Sequence, residues 1–226
     1  MFSSSLEELW RSGIVVTSHA ERLSGYDGVF LFKRGQACRI SAPPSLVESL
    51  RRSLEALDVD EVFNRSTFVH LLGSRVDAII GPNWYGYVDS LRFRSQPGGD
   101  CRRISECDAS ALMTLRASCG ETEWAEAAFN LESPAMFGCF DQVGELVAAS
   151  NLTGWRTATD LVGVVTHPRR RGRGYGAAVA SMATAAALED TAVVAWRARG
   201  TNTASIHIAL RLGFEHYGEN LAVRIR

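Results

Sequence analysis

The stretch VVTHPRRRGRGYGAAVASMATAAALED, Val164 to Asp190, constrains the fold more than any other part of the chain. Val164, Val165 and Thr166 are β-branched and favour a strand, which Pro168 helps to end because it has no N–H to give a ladder. From about Gly174 to Glu189 the composition is rich in alanine and favours a helix. Between the two lie Arg169, Arg170, Arg171 and Arg173, interleaved with Gly172, Gly174 and, at the helix start, Gly176. A helix that begins on glycines leaves its first N–H groups unpaired, beside a backbone that a ligand can approach closely. An anion is the ligand that such a junction suits.

Two common phosphate loops are set aside. No Gly-Lys-Ser/Thr follows, so this is not a Walker loop. A dinucleotide-binding loop expects an acidic ribose-binding residue about 20 residues further on, and here Glu189 and Asp190 fall at the end of the helix as a polar terminus.

The rest of the chain sets the context. The 226 residues suffice for one large or two small domains, and 46% hydrophobic with 22% charged residues is an ordinary globular composition. A formal net charge of −1 argues against a surface built for nucleic acid, and the arginines lack the interleaved aromatics of a stacking platform. Cys38, Cys101, Cys107, Cys119 and Cys139 show neither C-x-x-C nor paired histidine spacing. The expectation is therefore no metal site and no disulfide framework, with the cysteines kept reduced in the cytoplasm. The start MFSSSLEELWRSG has no basic region leading into an apolar run, and no stretch approaches about 18 apolar residues, so neither export nor a membrane partner is expected.

The turn-rich SQPGGD, Ser95 to Asp100, divides the chain into 1–97 and 98–226. In the first part, GVFLFKRGQACRISA predicts two strands about Arg34 and Gly35, and PSLVESLRRSLEALDVDEVFNRSTFVHLL two helices, the first starting at Pro44 and Ser45. WYGYVDSLRF predicts a strand whose Trp84, Tyr85 and Tyr87 serve packing. In the second part come a strand at CRRIS, a helix capped near Asp108 and ended before Gly120, and a short helix at ETEWAEAAFN. A hairpin AMFGCFD/ELVAASNLTGW turning at Gln142 to Gly144 precedes the strand DLVGVVTHP. After the alanine-rich helix follow a strand at AVVAWRA, a helix at TASIHIALRLG stopped by Gly213, and a closing strand pair, FEHYG with NLAVRIR.

At this point the residues resemble a known family. VVTHPRRRGRGYGAAV is similar to the coenzyme signature of the GNAT superfamily of N-acetyltransferases, R/Q-x-x-G-x-G/A between a strand and a helix, matched by Arg171, Gly174 and Gly176. TNTASIHIALRLGF resembles the family's N-x-x-A/S…LGF segment through Asn202, Ser205 and Leu212-Gly213-Phe214, and the whole resemblance covers roughly 102–226. It implies an α/β (α+β) fold, a mixed and mostly antiparallel central sheet flanked by helices, with a smaller α/β domain in front. That front domain would shape an acceptor cleft, provide a homodimer surface, or be a worn half-copy of the same fold. The implied co-substrate is acetyl-CoA or coenzyme A, one per chain, without a metal, and the implied acceptor is a small-molecule or protein amine.

Carried over residue by residue, Val164, Val165 and Thr166 would offer main-chain groups to the pantetheine arm. Arg171, Gly172, Arg173, Gly174, Tyr175, Gly176 and Ala177 would hold the pyrophosphate, with Asn202 and Ser205 bordering the coenzyme. The amine would attack the thioester directly, a backbone N–H stabilising the oxyanion. Cys119 and Cys139 are then packing residues rather than nucleophiles. Many members carry a tyrosine five residues before the phenylalanine of LGF as general acid; Ala209 stands there, leaving Ser205 and Tyr217 as candidate acids. His207 faces elsewhere. Candidate bases are Glu126 and Glu123 first, then Glu145 and Asp160, with Trp124 and Phe129 as an apolar wall. A domain that binds acetyl-CoA without turnover, as a sensor, is the alternative.

Overall fold

A computed structural model describes residues 10–23, 25–96, 98–127, 129, 135–155 and 159–226; the side chains of 22, 154, 155 and 159–162 lie outside the description. The chain forms two compact units, one of Met1–Tyr85, Arg199–Thr201 and Tyr217–Arg226, the other of Gly86–Ala198 and Asn202–His216. In order come β1 (Gly13–Ser18), β2 (Gly28–Arg34), β3 (Ala37–Ala42), α1 (Pro44–Leu54), α2 (Val59–Val62), α3 (Arg65–Leu72), β4 (Val76–Asp89) and β5 (Asp100–Arg103). Then follow α4 (Ala109–Ser118), α5 (Glu121–Glu126), β6 (Met136–Phe140), β7 (Leu146–Trp155), β8 (Thr159–Thr166), α6 (Tyr175–Asp190), β9 (Val193–Arg199), α7 (Thr203–Arg211) and β10 (Glu215–Ile225).

In the first unit the strands lie in the order β1-β3-β2-β10-β4. β1 runs parallel to β3, a pairing that the sequence reading leaves unassigned, and β2 is antiparallel to both β3 and β10. Leu46, Val47, Leu50 and Leu54 of α1 recur at helical spacing and are buried against Val29, Leu31, Ile40 and Leu221 of the sheet. Where two helices are predicted between Pro44 and Leu72, the chain makes three. Asp58 and Glu61 form a reciprocal capping box that starts α2 afresh, and Asn64 caps α3 by accepting from Ser66 N. β4 starts eight residues before the predicted strand at Trp84 and stops at Asp89. The predicted closing pair is one strand, β10, that continues through Gly218.

The second unit orders its strands β4-β9-β8-β7-β6-β5, with β5 to β8 antiparallel neighbours and β8 parallel to β9. Both units thus have the mixed, mostly antiparallel α/β character expected. The Ser95–Asp100 hexapeptide lies within this unit, where Gln96 N donates to Ser181 Oγ at 2.9 Å. Asp108 stands at the N-cap position of α4, but its side chain does not cap that helix and closes a capping box with Ser105 on the preceding turn. Its carboxylate accepts from Arg102 at 2.6 and 2.8 Å and from Ser105 N at 2.9 Å, and these bonds hold its pKa well below the usual carboxylate range. α4 and α5 close the core: Trp124 and Phe129, expected as an apolar wall, are buried with Leu112, Leu115, Phe140 and Val165.

One expectation is overturned. Cys101 and Cys139 form a disulfide, 38 residues apart in sequence but directly opposite in the β5–β6 register. Cys139 is accordingly a cross-link and not a free packing residue. Local spacing carries no trace of it, because the pairing is created by a strand register. Among the described residues no helix is long and apolar enough to cross a membrane, and no group of three His, Cys, Asp or Glu is placed to hold a metal ion.

Candidate functional site

The junction quoted from the sequence folds as a strand, a tight loop and a helix. β8 stays paired to β7 through Thr166↔Ala148, whereas its registered pair with β9 among the described residues is Leu161↔Ala195. β8 thus parts from β9 while Val164, Val165 and Thr166 are still held from the other side. An opening between two parallel strands presents main-chain N–H and C=O groups that a neighbouring strand would otherwise satisfy.

After Thr166 the chain turns sharply. His167 Nδ1 accepts from Arg169 N at 3.1 Å, and Pro168–Arg170 makes one 3-10 turn. Gly172 and Gly174 take φ of 74° and 86°, values that other residues rarely adopt, and the space around both is open. Gly174 is the N-cap of α6 and has no side chain with which to cap it. Ala178 N is the first to bond back, to Gly174 O at 3.0 Å, so the N–H groups of Tyr175, Gly176 and Ala177 precede the helical ladder. Gly176 answers to packing: a Cβ there would sit 2.8 Å from Thr166 Oγ1 and 3.4 Å from Ile208 Cδ1. α6 is buried nearly all round by small residues, which lets it lie close on the strands.

The four arginines divide by role. Arg170 donates to Asp141 Oδ2 at 2.7 Å, a carboxylate only 7% exposed, and so ties the loop to the β6–β7 turn. Arg171 donates to both Glu123 oxygens at 2.6 and 2.7 Å and through Nε to Thr166 O at 3.3 Å. Among the described residues Arg169 and Arg173 form no ion pair. They bring charge to the loop that is not neutralised locally. A cleft of about 370 Å³ opens beside the helix start, lined by Arg173, Gly174, Tyr175 and Ala178, by Gly98 to Asp100, and by Phe140 to Gln142. The Cys101–Cys139 bond joins the two strands that carry its far wall.

The remaining candidates fall as follows. Asn202 Oδ1 accepts from Ser205 N at 3.1 Å and caps α7, while Ser205 Oγ accepts from the buried Trp196 Nε1 at 3.0 Å. Ala209 is fully buried and His207 is exposed. Tyr217 belongs to the first unit, where its hydroxyl accepts from Trp10 Nε1 at 3.0 Å and its ring lies 4.4 Å from the Arg34 guanidinium. Glu123 is engaged by Arg171; Glu126 is exposed at the last position of α5; Glu145 accepts from Arg170 at 3.3 Å; and the Asp160 side chain lies outside the described residues. Burial raises the pKa of Cys119, with the Glu123 charge adding to it, so its thiol stays protonated. Sequence reasoning missed Asp141, although an Asp before a Gln-Val-Gly turn opposite an arginine cluster is a signal for it.

A family model described as the acetyltransferase (GNAT) family matches residues 104–214. Among solved structures, a GNAT-family acetyltransferase from Colwellia psychrerythraea is 16% identical with a TM-score of 0.53, covering 70% of this chain and 61% of its own. A GCN5-related N-acetyltransferase from Kribbella flavida is 17% identical with a TM-score of 0.51, covering 80% of this chain and 74% of its own. A third, from Sphaerobacter thermophilus, is 12% identical with a TM-score of 0.54, covering 72% of this chain and 57% of its own. At such identities the likeness is one of fold. No curated protein matches. The glycine loop, the parting strands and the uncapped helix all fall inside the matched segment, and residues 104–214 are a domain of the GNAT acetyltransferase family.

Proposed function

We propose that the chain is an N-acetyltransferase that moves the acetyl group of acetyl-CoA to a primary amine by direct attack. The observation that carries the reading is β8 leaving β9 one loop before a helix whose N-terminus has no cap of its own. The residues present fit a coenzyme with a pyrophosphate and an amide-bearing arm. The N–H groups from Gly172 to Ala177 and the helix dipole favour the anion, and Arg169 and Arg173 supply charge that no carboxylate among the described residues pairs with. Val164, Val165 and Thr166 would pair with the arm as a strand would.

Acetyl-CoA, when bound, supplies an activated thioester. The amine nitrogen forms a bond to its carbonyl carbon as the carbon–sulfur bond breaks, and a β8 N–H stabilises the charge that develops on the carbonyl oxygen. Glu126, exposed at the end of α5, is assigned the proton that the amine loses. Ser205, whose hydroxyl oxygen accepts from Trp196 and whose own proton remains to donate, is assigned the proton returned to the departing thiolate. The partner is an amine, with no role for nucleic acid or membrane. No chemistry is assigned to residues Met1–Tyr85.

One observation favours a second reading, a coenzyme-binding sensor: the position of the family's usual acid is Ala209, fully buried. A thiol-release assay with acetyl-CoA and a panel of small amines and peptides separates the two. Amine-dependent release supports the transferase; coenzyme binding with no release on any amine supports the sensor.

A further inference from the structure

The tie between Arg171 and Glu123 joins two elements that flank one stretch of strand. α5 meets β8 at mid-strand, where Ala127 O just beyond the helix would lie only 2.1 Å from a Cβ on Gly163. It reaches the end of β8 through Glu123, which holds Arg171 while Arg171 Nε holds Thr166 O. Between those two points lie Val164 and Val165. Trp124, buried against Phe129 with ring centroids 4.6 Å apart, fixes the middle of the helix to the core. Neither Glu123 oxygen is left without a strong donor, which suits an anchor and not a proton acceptor.

The Arg171 fork is correspondingly pre-set. Nη2 is spent on Glu123 and Nε on Thr166 O, which leaves Nη1, one residue before Gly172, without a hydrogen bond among the described residues. We propose that Glu123 is a positioning residue: it orients Arg171 toward the anion and couples occupancy of the glycine loop to the seating of α5 on β8. This inference rests on the coenzyme reading of the loop. By linkage, a ligand that orders Arg171 also orders α5, and whatever settles α5 strengthens binding at the loop.

The test is hydrogen exchange on the whole chain, with coenzyme A as the probe, comparing the parent protein with Glu123→Gln. In the parent protein coenzyme A should slow exchange both across 172–178 and across 121–126; in Glu123→Gln it should slow 172–178 alone. Steady-state kinetics give the second readout. Both partners are about half exposed, with side-chain exposures of 51% and 40%, so losing the pair should raise KM for acetyl-CoA by up to about five-fold. A fall of about 100-fold or more in kcat at unchanged KM would mark Glu123 as the base and overturn the proposal. Equal protection of 121–126 in both proteins overturns it too. Silence of 172–178 itself in the parent protein would remove the coenzyme reading beneath it, a result distinct from the others because the loop and not only the helix fails to respond.

Discussion

Replacing Gly174 by alanine separates the loop's role in binding from its role in folding. Gly174 holds φ at 86°, and a Cβ there would meet nothing within 4 Å, so the fold bears only the left-handed backbone penalty of about 1–2 kcal/mol. For a chain of this size that lowers Tm by about 2–8 °C. Binding should suffer far more. Gly174 directs the first N–H groups of α6, and each charge-assisted hydrogen bond lost is worth about 1.5–3 kcal/mol. One such loss weakens coenzyme A binding by roughly tenfold to 150-fold. Gly35→Ala is the matched control: φ is 56°, the surroundings are equally open, and the residue sits in the β2–β3 turn of the other unit. Calorimetric titration with coenzyme A and thermal melts on both variants provide the comparison. If Gly174→Ala bound coenzyme A within two-fold of the parent protein, the reasoning would be wrong.

Other outcomes follow from the same contacts. Cys101→Ser opens a cross-link spanning 38 residues and should cost about 2–4 kcal/mol, seen as a lower melting temperature that reductant no longer alters. Asp108 has its folded pKa depressed by Arg102, so its contribution is present above its unfolded value of about 3.9 and lost as pH falls toward the folded one. The Tm gap between the parent protein and Asp108→Asn should therefore be full at neutral pH and narrow on acidification below about pH 4. Asn202→Ala removes the α7 cap and should cost about 1 kcal/mol, read in denaturant titration. Ser205→Ala leaves the buried Trp196 N–H without its acceptor, a cost of about 1–3 kcal/mol, and a parallel drop in kcat of about 100-fold would add the assigned proton transfer to that structural role.

What the sequence made legible is what it encodes locally. The loop at 167–176 was readable because proline, positive-φ glycines and an alanine-rich run act within a few residues of one another. The start of α4 at Asp108 and the β6–β7 turn were readable for the same reason, Asp141 Oδ1 accepting from Val143 N and Glu145 N at 3.0 Å. Distant pairings were not. The disulfide depends on the β5–β6 register, β1 on a parallel partner reached across an intervening strand, and the full length of β4 on neighbours such as β10, where Asn83 Nδ2 donates to Asn220 Oδ1 at 3.0 Å. The arginine cluster shows the boundary most sharply. Four residues that look alike in sequence part into two tethers and two unneutralised charges because Asp141 and Glu123 arrive from other elements.

The central claim, that the loop before α6 binds the pyrophosphate of coenzyme A, is tested most directly by calorimetric titration of the intact chain with coenzyme A. The account predicts saturable binding of one coenzyme per chain. No heat of binding and no saturation, with the chain folded by its thermal melt, would contradict it, and two coenzymes per chain would contradict the assignment of a single site.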